Sequence, residues 1–422
     1  RPPRPLPHAP SRPLRRPLPI TASPTITASL LAYTFNQDAT CLAIGTDRGY
    51  QIFTCEPWAS AHSCSEVHPN RPAAPSRTAA TSSLRLVCQG GVGVVELLHS
   101  SSLVALVGAG TRPGESTRRL VMLNTRTNTS ICELNFSSSV LRVRMNASRL
   151  LVVLETRTHI FELSSMKLLH TLETAPNRLG LADMCVAVGR CHAVLPAAAP
   201  GQILFFDALQ LHALSTLHAR KSALAALAIS PCGSRVASAS EKGTTVSVHS
   251  FPQGELLHAF RRGAIPASIY HLAFSSCLPP HDGAASGAGA AAATAQAAAA
   301  LLSSSAMLCA VSSSGTVHVW SLDAQRGAVG GRAVGGGGGL TGGSFSLLSP
   351  SSLLAGERAF AQAKLPPLTR AVAALRPSIS DANEMTMLVL TERGIFYSFR
   401  LDALRGGDGV LQDERRVGLV DS

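Results

Sequence analysis

Arg261 and Arg262 stand side by side, and Ser/Thr sets lie on both sides of them. A guanidinium is planar and always charged. Its fork of N–H donors matches phosphate oxygens in a bidentate way. In an extended or turning segment, consecutive side chains point to opposite sides, so this dipeptide can serve two pockets. Ser240 and Thr244 precede it, and Ser312 and Thr316 follow it with the same Ser-x-x-x-Thr spacing. Their hydroxyls can donate to phosphate oxygens, and His318 adds a titratable donor. The chemistry implied is recognition of phosphate-bearing anions, one set per arginine. Taken alone, an Arg-Arg pair is a solvated basic turn, and each Ser or Thr is an ordinary strand or turn position. The pairing of two sets with two arginines favours binding.

Other chemistries lack their signatures. The chain has no GxSxG, HExxH or P-loop, and no GxGxxG opening a helix, so an enzyme is not expected. His159, His170 and His249 lack metal-ligand spacing and read as strand residues. No metal and no cofactor is expected. The ten cysteines are scattered without a CxxC, which fits a reduced intracellular compartment better than a disulfide scaffold; Cys41 and Cys309 read as small buried apolar groups. A formal net charge of +12 points to an acidic partner. Part of that charge sits in a Pro-rich start carrying Arg1, Arg4, Arg12, Arg15 and Arg16. Aromatics are only 5% and do not interleave with basic residues, which argues against a nucleic-acid platform. No strongly apolar run is long enough to span a bilayer; the Ala-rich tract near 291–302 comes nearest. The sequence begins at Arg1 rather than Met, consistent with a fragment or a processed form.

The elements that must hold these residues are short strands. Apolar runs such as Leu103–Val107, Leu150–Leu154 and Met387–Leu390 recur, and each is followed after a turn by an alternating strand with an aromatic, such as Thr158–Glu162, Thr316–Trp320 or Gly394–Phe399. The loose period of roughly 40 residues is that of propeller blades, four-stranded antiparallel sheets that bury both faces only by stacking in a ring. The expected fold is an all-β, seven-bladed β-propeller over 27–416, with units beginning near 29, 92, 138, 179, 222, 267 and 368. Residues 1–26 are expected to be a disordered Pro/Arg-rich segment and 417–422 a tail. Inserted loops are expected at about 58–84, 279–305 and 324–358. The last carries a Gly335–Gly339 run and then Phe345, Leu347 and Leu348.

The chain resembles the PROPPINs, seven-bladed propellers that bind polyphosphoinositides and act in autophagy. The resemblance rests on Ala237-Ser-Ala-Ser-Glu-Lys-Gly-Thr244, Phe260-Arg261-Arg262-Gly263 and Ile269-Tyr-His-Leu-Ala-Phe-Ser275. Leu168-Leu-His-Thr-Leu-Glu-Thr-Ala-Pro-Asn177 and Phe35-Asn-Gln-Asp38 add to it. It implies a first lipid site of Arg220, Lys221, Ser240, Thr244 and Arg261, and a second of Arg262, Ser312, Thr316 and His318. Family members usually carry a His where Arg220 stands, and many have an Arg at Ser247. The resemblance further implies ligands such as phosphatidylinositol 3-phosphate and phosphatidylinositol 3,5-bisphosphate. It implies insertion of the 324–358 loop into the bilayer interface through Phe345, Leu347 and Leu348. An autophagy lipid-transfer protein is the implied partner, contacting the loop with Arg112, Pro113, Arg118 and Arg119. The implied location is cytoplasmic, on preautophagosomal, endosomal or vacuolar membranes. The rival reading is a propeller scaffold that binds proteins and no lipid.

Overall fold

Strands of alternating or continuous apolar residues cannot stand alone here, because both faces of each four-stranded sheet are largely apolar. The computed structural model solves this by stacking seven such sheets in a ring; it describes residues 28–65, 90–112, 115–276, 307–322, 357–378, 381 and 383–417. The first strands of the blades begin at Leu30, Val92, Arg142, Asp183, Leu224, Ile269 and Ala371, within a few residues of expectation. Each blade is built from strands consecutive in the chain and paired antiparallel, except that blade seven takes Val410–Arg416 as its outer strand. The intervening Gly407–Asp408 leaves that blade and pairs in parallel with Ala361–Lys364 on the edge of blade six.

Seven apolar clusters fill the seven interfaces between blades. The ring is closed by packing, not by a shared strand: Leu42, Ile44 and Phe53 of blade one pack on Leu388, Leu390 and Phe396 of blade seven. Under the basic motif, Phe260 and Trp320 join blades five and six; their rings stack at 5.2 Å, and both are almost wholly buried.

One expectation needs correction. Residues 58–84 read as a loop, but Trp58–Ser65 is the outer strand of blade one. That strand is mostly Ser, Ala and His because it faces solvent on one side. Its anchors are Trp58, stacked on Phe53 at 4.9 Å, and His62, bonded to the Tyr50 hydroxyl at 3.0 Å. The cysteines also differ in one respect. Among the described residues, Cys41 and the fully buried Cys309 are in no disulfide, but Cys64 is disulfide-bonded. No helix among the described residues is long and apolar enough to cross a membrane. Residues 1–26, most of 324–358, and Phe345, Leu347 and Leu348 lie outside the described residues.

Candidate functional site: a basic pocket at the blade five–six junction

Leu256–Arg261 is the outer strand of blade five, so the chain presents Arg261 and Arg262 as it leaves the sheet. Strand alternation then divides them. Phe260 faces the core between blades five and six; Arg261 is exposed on the other side, and Arg262 turns back and is buried. The Arg262 backbone N–H donates to the Thr244 carbonyl at 2.9 Å. Its Nε donates to the Gly243 carbonyl at 2.8 Å, and Nη2 donates to the Ile265 carbonyl. Two of its five N–H donors are thus used to fix its direction, and three remain for a ligand.

Both arginines line one pocket of about 470 Å³, together with His318, Arg358, Gln362 and Asp408. The expected division of one arginine per pocket is therefore only partly seen. Arg262 touches the blade-five turn through Gly243 and shares this pocket with His318 of blade six. Burial, and then the Arg262 charge, hold the His318 imidazole down at about 4, so it is neutral at pH 7. Among the described residues the pocket sets one carboxylate, Asp408, against three guanidinium charges, and Asp408 accepts a hydrogen bond from Gln362 Nε2 at 2.9 Å. Arg358 was visible in the sequence only as the end of a Gly-rich loop. Gln362 and Asp408 carried no signal at all.

The two Ser-x-x-x-Thr sets are equivalent turns. Gly243 N–H donates to the Ser240 carbonyl at 2.9 Å, and Gly315 N–H donates to the Ser312 carbonyl at 3.2 Å. Both glycines have positive φ, and a Cβ on Gly243 would lie 1.9 Å from the Ala267 carbonyl oxygen. The same turn recurs in blade seven, where Gly394 N–H donates to the Thr391 carbonyl at 2.9 Å. Part of the spacing signal is therefore turn stereochemistry. The hydroxyls of Ser240, Thr244 and Thr316 make no hydrogen bond among the described residues, whereas Ser312 Oγ is bonded to Ser314 Oγ at 2.8 Å. None of these four residues lines the Arg261–Arg262 pocket.

Arg220 is held elsewhere. Its Nη1 donates to Thr245 Oγ1 at 2.9 Å, and Nη2 donates to the backbone carbonyls of Ser238 and Thr245. Burial pulls its pKa down to about 10. It braces blade five, and most of its donors are occupied; Lys221 beside it is exposed. In the second–third blade region, Arg112 and Arg118 are exposed and Arg119 is half-buried, near Glu133 at 3.8 Å; Pro113 lies outside the described residues. Glu115 shapes that loop by accepting N–H bonds from Gly91 at 2.6 Å and Thr111 at 2.9 Å. Of the three histidines read as strand residues, His159 bonds Thr171 Oγ1 at 2.9 Å, His170 stacks on Phe206, and His249 is buried. Among the described residues no His/Cys/Asp/Glu group could hold a metal ion.

A second charged cluster lies in the axial channel. Arg144 bridges Glu96 of blade two at 2.9 Å and Asp183 of blade four at 3.2 Å, and Asp183 accepts the Ile229 N–H of blade five at 2.9 Å. These contacts tie four blades together, although Arg144 Nε pairs with Asp183 by charge and without hydrogen-bond geometry.

The chain is thus a seven-bladed propeller with three arginines gathered in a pocket at one blade junction. Comparison with known proteins places it in a family. Residues 29–278 match the PROPPIN family, and the chain belongs to it. It is 33% identical to autophagy-related protein 18 of Dictyostelium discoideum over 401 residues, covering 91% of this chain and 92% of that protein. It is 31% identical to autophagy-related protein 18 of Yarrowia lipolytica, covering 92% and 96%. Among solved structures, a complex of KlAtg21 with the coiled coil of AgAtg16 matches its fold at TM-score 0.65 and 22% identity, covering 92% of this chain and 99% of that one. The family consists of autophagy-related propeller adaptors, not enzymes.

Proposed function

We propose that this propeller binds phosphoinositide headgroups, phosphatidylinositol 3-phosphate and/or phosphatidylinositol 3,5-bisphosphate, and is thereby recruited to autophagic membranes as a peripheral adaptor. The observation that carries the reading is the pocket in which Arg261, Arg262 and Arg358 face a neutral His318, with a single carboxylate opposed among the described residues. Charge-assisted bonds from a fixed guanidinium to phosphate are the strong kind. The proposal keeps two headgroup sites. One lies toward blade four, with Arg220, Lys221, Ser240, Thr244 and Arg261; the other lies toward blade six, with Arg262, Ser312, Thr316 and His318. The unpaired hydroxyls of Ser240, Thr244 and Thr316 support it. The bonds that already hold Arg220 make it a positioning group for the first site. The loop with Arg112, Pro113, Arg118 and Arg119 is proposed as the docking point for an autophagy lipid-transfer protein.

Two sites on one rigid body act by avidity, so modest single-site affinities give firm recruitment. The test is flotation of vesicles containing phosphatidylinositol 3-phosphate with Arg261→Thr plus Arg262→Thr. Each lost charge-assisted contact weakens binding by ~1.5–3 kcal/mol, and flotation should vanish. A folded double variant that floats as well as the parent would leave the scaffold reading standing.

A further inference from the structure

The innermost strands of the seven blades surround an axial cavity of about 170 Å³. Blades five and seven line it with small residues such as Ala226 and Ala373, which leaves room at the centre. Its charged groups are Glu96 of blade two, Arg142 and Arg144 of blade three and Asp183 of blade four, with His271 of blade six as a further titratable group. Arg142 and Arg144 are two apart on one short strand, Arg142–Met145, so alternation puts them on the same side. Arg144 is spent on both carboxylates, at 2.9 Å from Glu96 and 3.2 Å from Asp183. Arg142 has no hydrogen bond or ion pair among the described residues, and the two carboxylates act on it only at longer range. It is partly buried. Burial, and then the Arg144 charge, pull its pKa down to about 10. On blade six, His271 Nδ1 accepts the Ala373 N–H at 3.4 Å, which puts the proton of the neutral ring on Nε2. Burial, and then the charges of Arg142 and Arg144, hold this imidazole down at about 3. Its Nε2–H makes no hydrogen bond among the described residues. Gln37, which also lines the cavity, spends its amide on the Leu97 and Met145 carbonyls.

A guanidinium taken out of bulk water is costly unless it is paired. Here the two available carboxylates close around its neighbour. Burial also raises the Glu96 carboxyl to about 7, so near neutral pH it is not a full counter-charge, and Arg142 is left in excess. The partner that fits a guanidinium fork is a planar carboxylate, held by two parallel N–H···O bonds. The cavity has room for a few waters or one small ion, which excludes an inositol headgroup or a peptide tail. Glu96 and Asp183 repel a second negative charge, so a monovalent anion suits the site better than a divalent one. We propose that the axial cavity binds a small monovalent carboxylate, of formate or acetate size, on the Arg142 guanidinium, with the His271 Nε2–H as a second donor. Such an anion links blade three to blade six across a ring that is otherwise closed by packing between neighbours. The site is separate from the blade five–six pocket and does not depend on the headgroup reading.

The experiment uses the full chain with Arg142→Gln, and Arg142→Lys as the variant that keeps the charge. Unfolding midpoints are measured against sodium formate at pH 7, with ionic strength held constant by a bulky sulfonate salt. The parent's midpoint should rise saturably, by about 2 °C at ten times the dissociation constant. Arg142→Gln should show no such rise, and Arg142→Lys should keep part of it. The Arg261→Thr plus Arg262→Thr variant should keep all of it, because those residues lie in the other pocket. A parent that does not respond overturns the proposal. So does an Arg142→Gln protein that responds like the parent, which assigns the formate to another place. So does loss of the response in the Arg261→Thr plus Arg262→Thr variant, which assigns it to the blade five–six pocket. Line broadening of ¹³C-formate by the parent is read without any variant, so a substitution that fails to fold does not leave the matter open. No broadening at formate concentrations that saturate any stabilisation also overturns the proposal.

Discussion

Arg262 and His318 line the same pocket from two different blades, and the arginine's charge adds to burial in keeping the imidazole neutral, with a pKa of about 4. The sign of the resulting pH effect can be worked out. A phosphate entering this pocket brings negative charge that favours imidazolium, so the pKa in the complex lies above its value in the empty protein. Binding then takes up a proton, and the contribution of His318 grows as pH falls through the bound-state pKa towards 4. The phosphate itself also titrates near pH 6, so the measurement is a ratio. The affinity of the parent divided by that of His318→Gln, for soluble phosphatidylinositol 3-phosphate, should rise several-fold from pH 7.5 to pH 5.5. A ratio that stays flat and near one over this range would remove His318 from the site, whereas a flat ratio well above one would make it a neutral N–H donor.

The glycine in Phe260-Arg261-Arg262-Gly263 and the glycine in Glu241-Lys242-Gly243-Thr244 have different reasons to be there. A Cβ on Gly263 would meet nothing within 4 Å, and its φ is not in the left-handed region. Gly243 has φ +57°, and a Cβ there would drive into the Ala267 carbonyl. Gly243→Ala should therefore cost ~1 kcal/mol or more from backbone strain alone, seen as a lower denaturation midpoint. Gly263→Ala should stay within ~0.5 kcal/mol of the parent. If Gly263→Ala keeps stability but loses headgroup binding, the motif glycine is there for close approach of the ligand. Destabilisation by Gly263→Ala as large as that by Gly243→Ala would contradict the geometry.

The ring was legible because period-2 strands and turn glycines recur at near-constant spacing, and those are local properties. The basic pair was legible by residue type, but its placement only in part: Arg262 lies past the end of Leu256–Arg261 and turns back, so both arginines line one pocket. Trp58–Ser65 was missed because an outer strand needs few apolar residues; Ser60, His62 and Ser63 looked like loop. Arg358, Gln362 and Asp408 were not assigned to the pocket for a different reason. Their placement depends on where long connections return to the ring: Glu357 beside Phe260, and Gly407–Asp408 beside Ala361 and Gln362. No periodicity in the sequence fixes such a return. Conversely, the matched Ser-x-x-x-Thr spacing overstated its meaning, since Thr391 and Gly394 build the same turn where no ligand is proposed.

Phe260 is the platform on which the arginines stand. It is fully buried, stacked on Trp320 at 5.2 Å and on His258 at 5.2 Å. Phe260→Ala should cost ~3–5 kcal/mol, the transfer loss plus an unfilled cavity. Phe260→Leu should cost less and keep the fold. The platform predicts that Phe260→Leu weakens headgroup binding although Phe260 touches no ligand, because both Arg261 and the Glu357 bridge hang from this strand. Unchanged affinity in a folded Phe260→Leu protein would show that the arginines are positioned independently of the stack.

The 324–358 segment leaves blade six after Thr316–Ser321 and returns at Glu357, beside the motif strand and its pocket. Its Phe345, Leu347 and Leu348 follow the Gly335–Gly339 run, and we propose that they enter the bilayer interface once a headgroup is held. Apolar burial contributes ~25 cal/mol per Å² and resists salt, whereas the attraction of the arginines for an anionic surface falls as ionic strength rises. Phe345→Asp plus Leu348→Asp should therefore cut vesicle binding strongly, and most visibly at high salt, where the electrostatic part is screened. Affinity for a soluble short-chain headgroup should be almost unchanged, because the residues proposed to hold the headgroup, Arg261, Arg262 and His318, are untouched by the double variant. A folding defect would lower both affinities and so is told apart. If the double variant binds vesicles like the parent at low and at high salt, the segment is a linker and insertion is wrong.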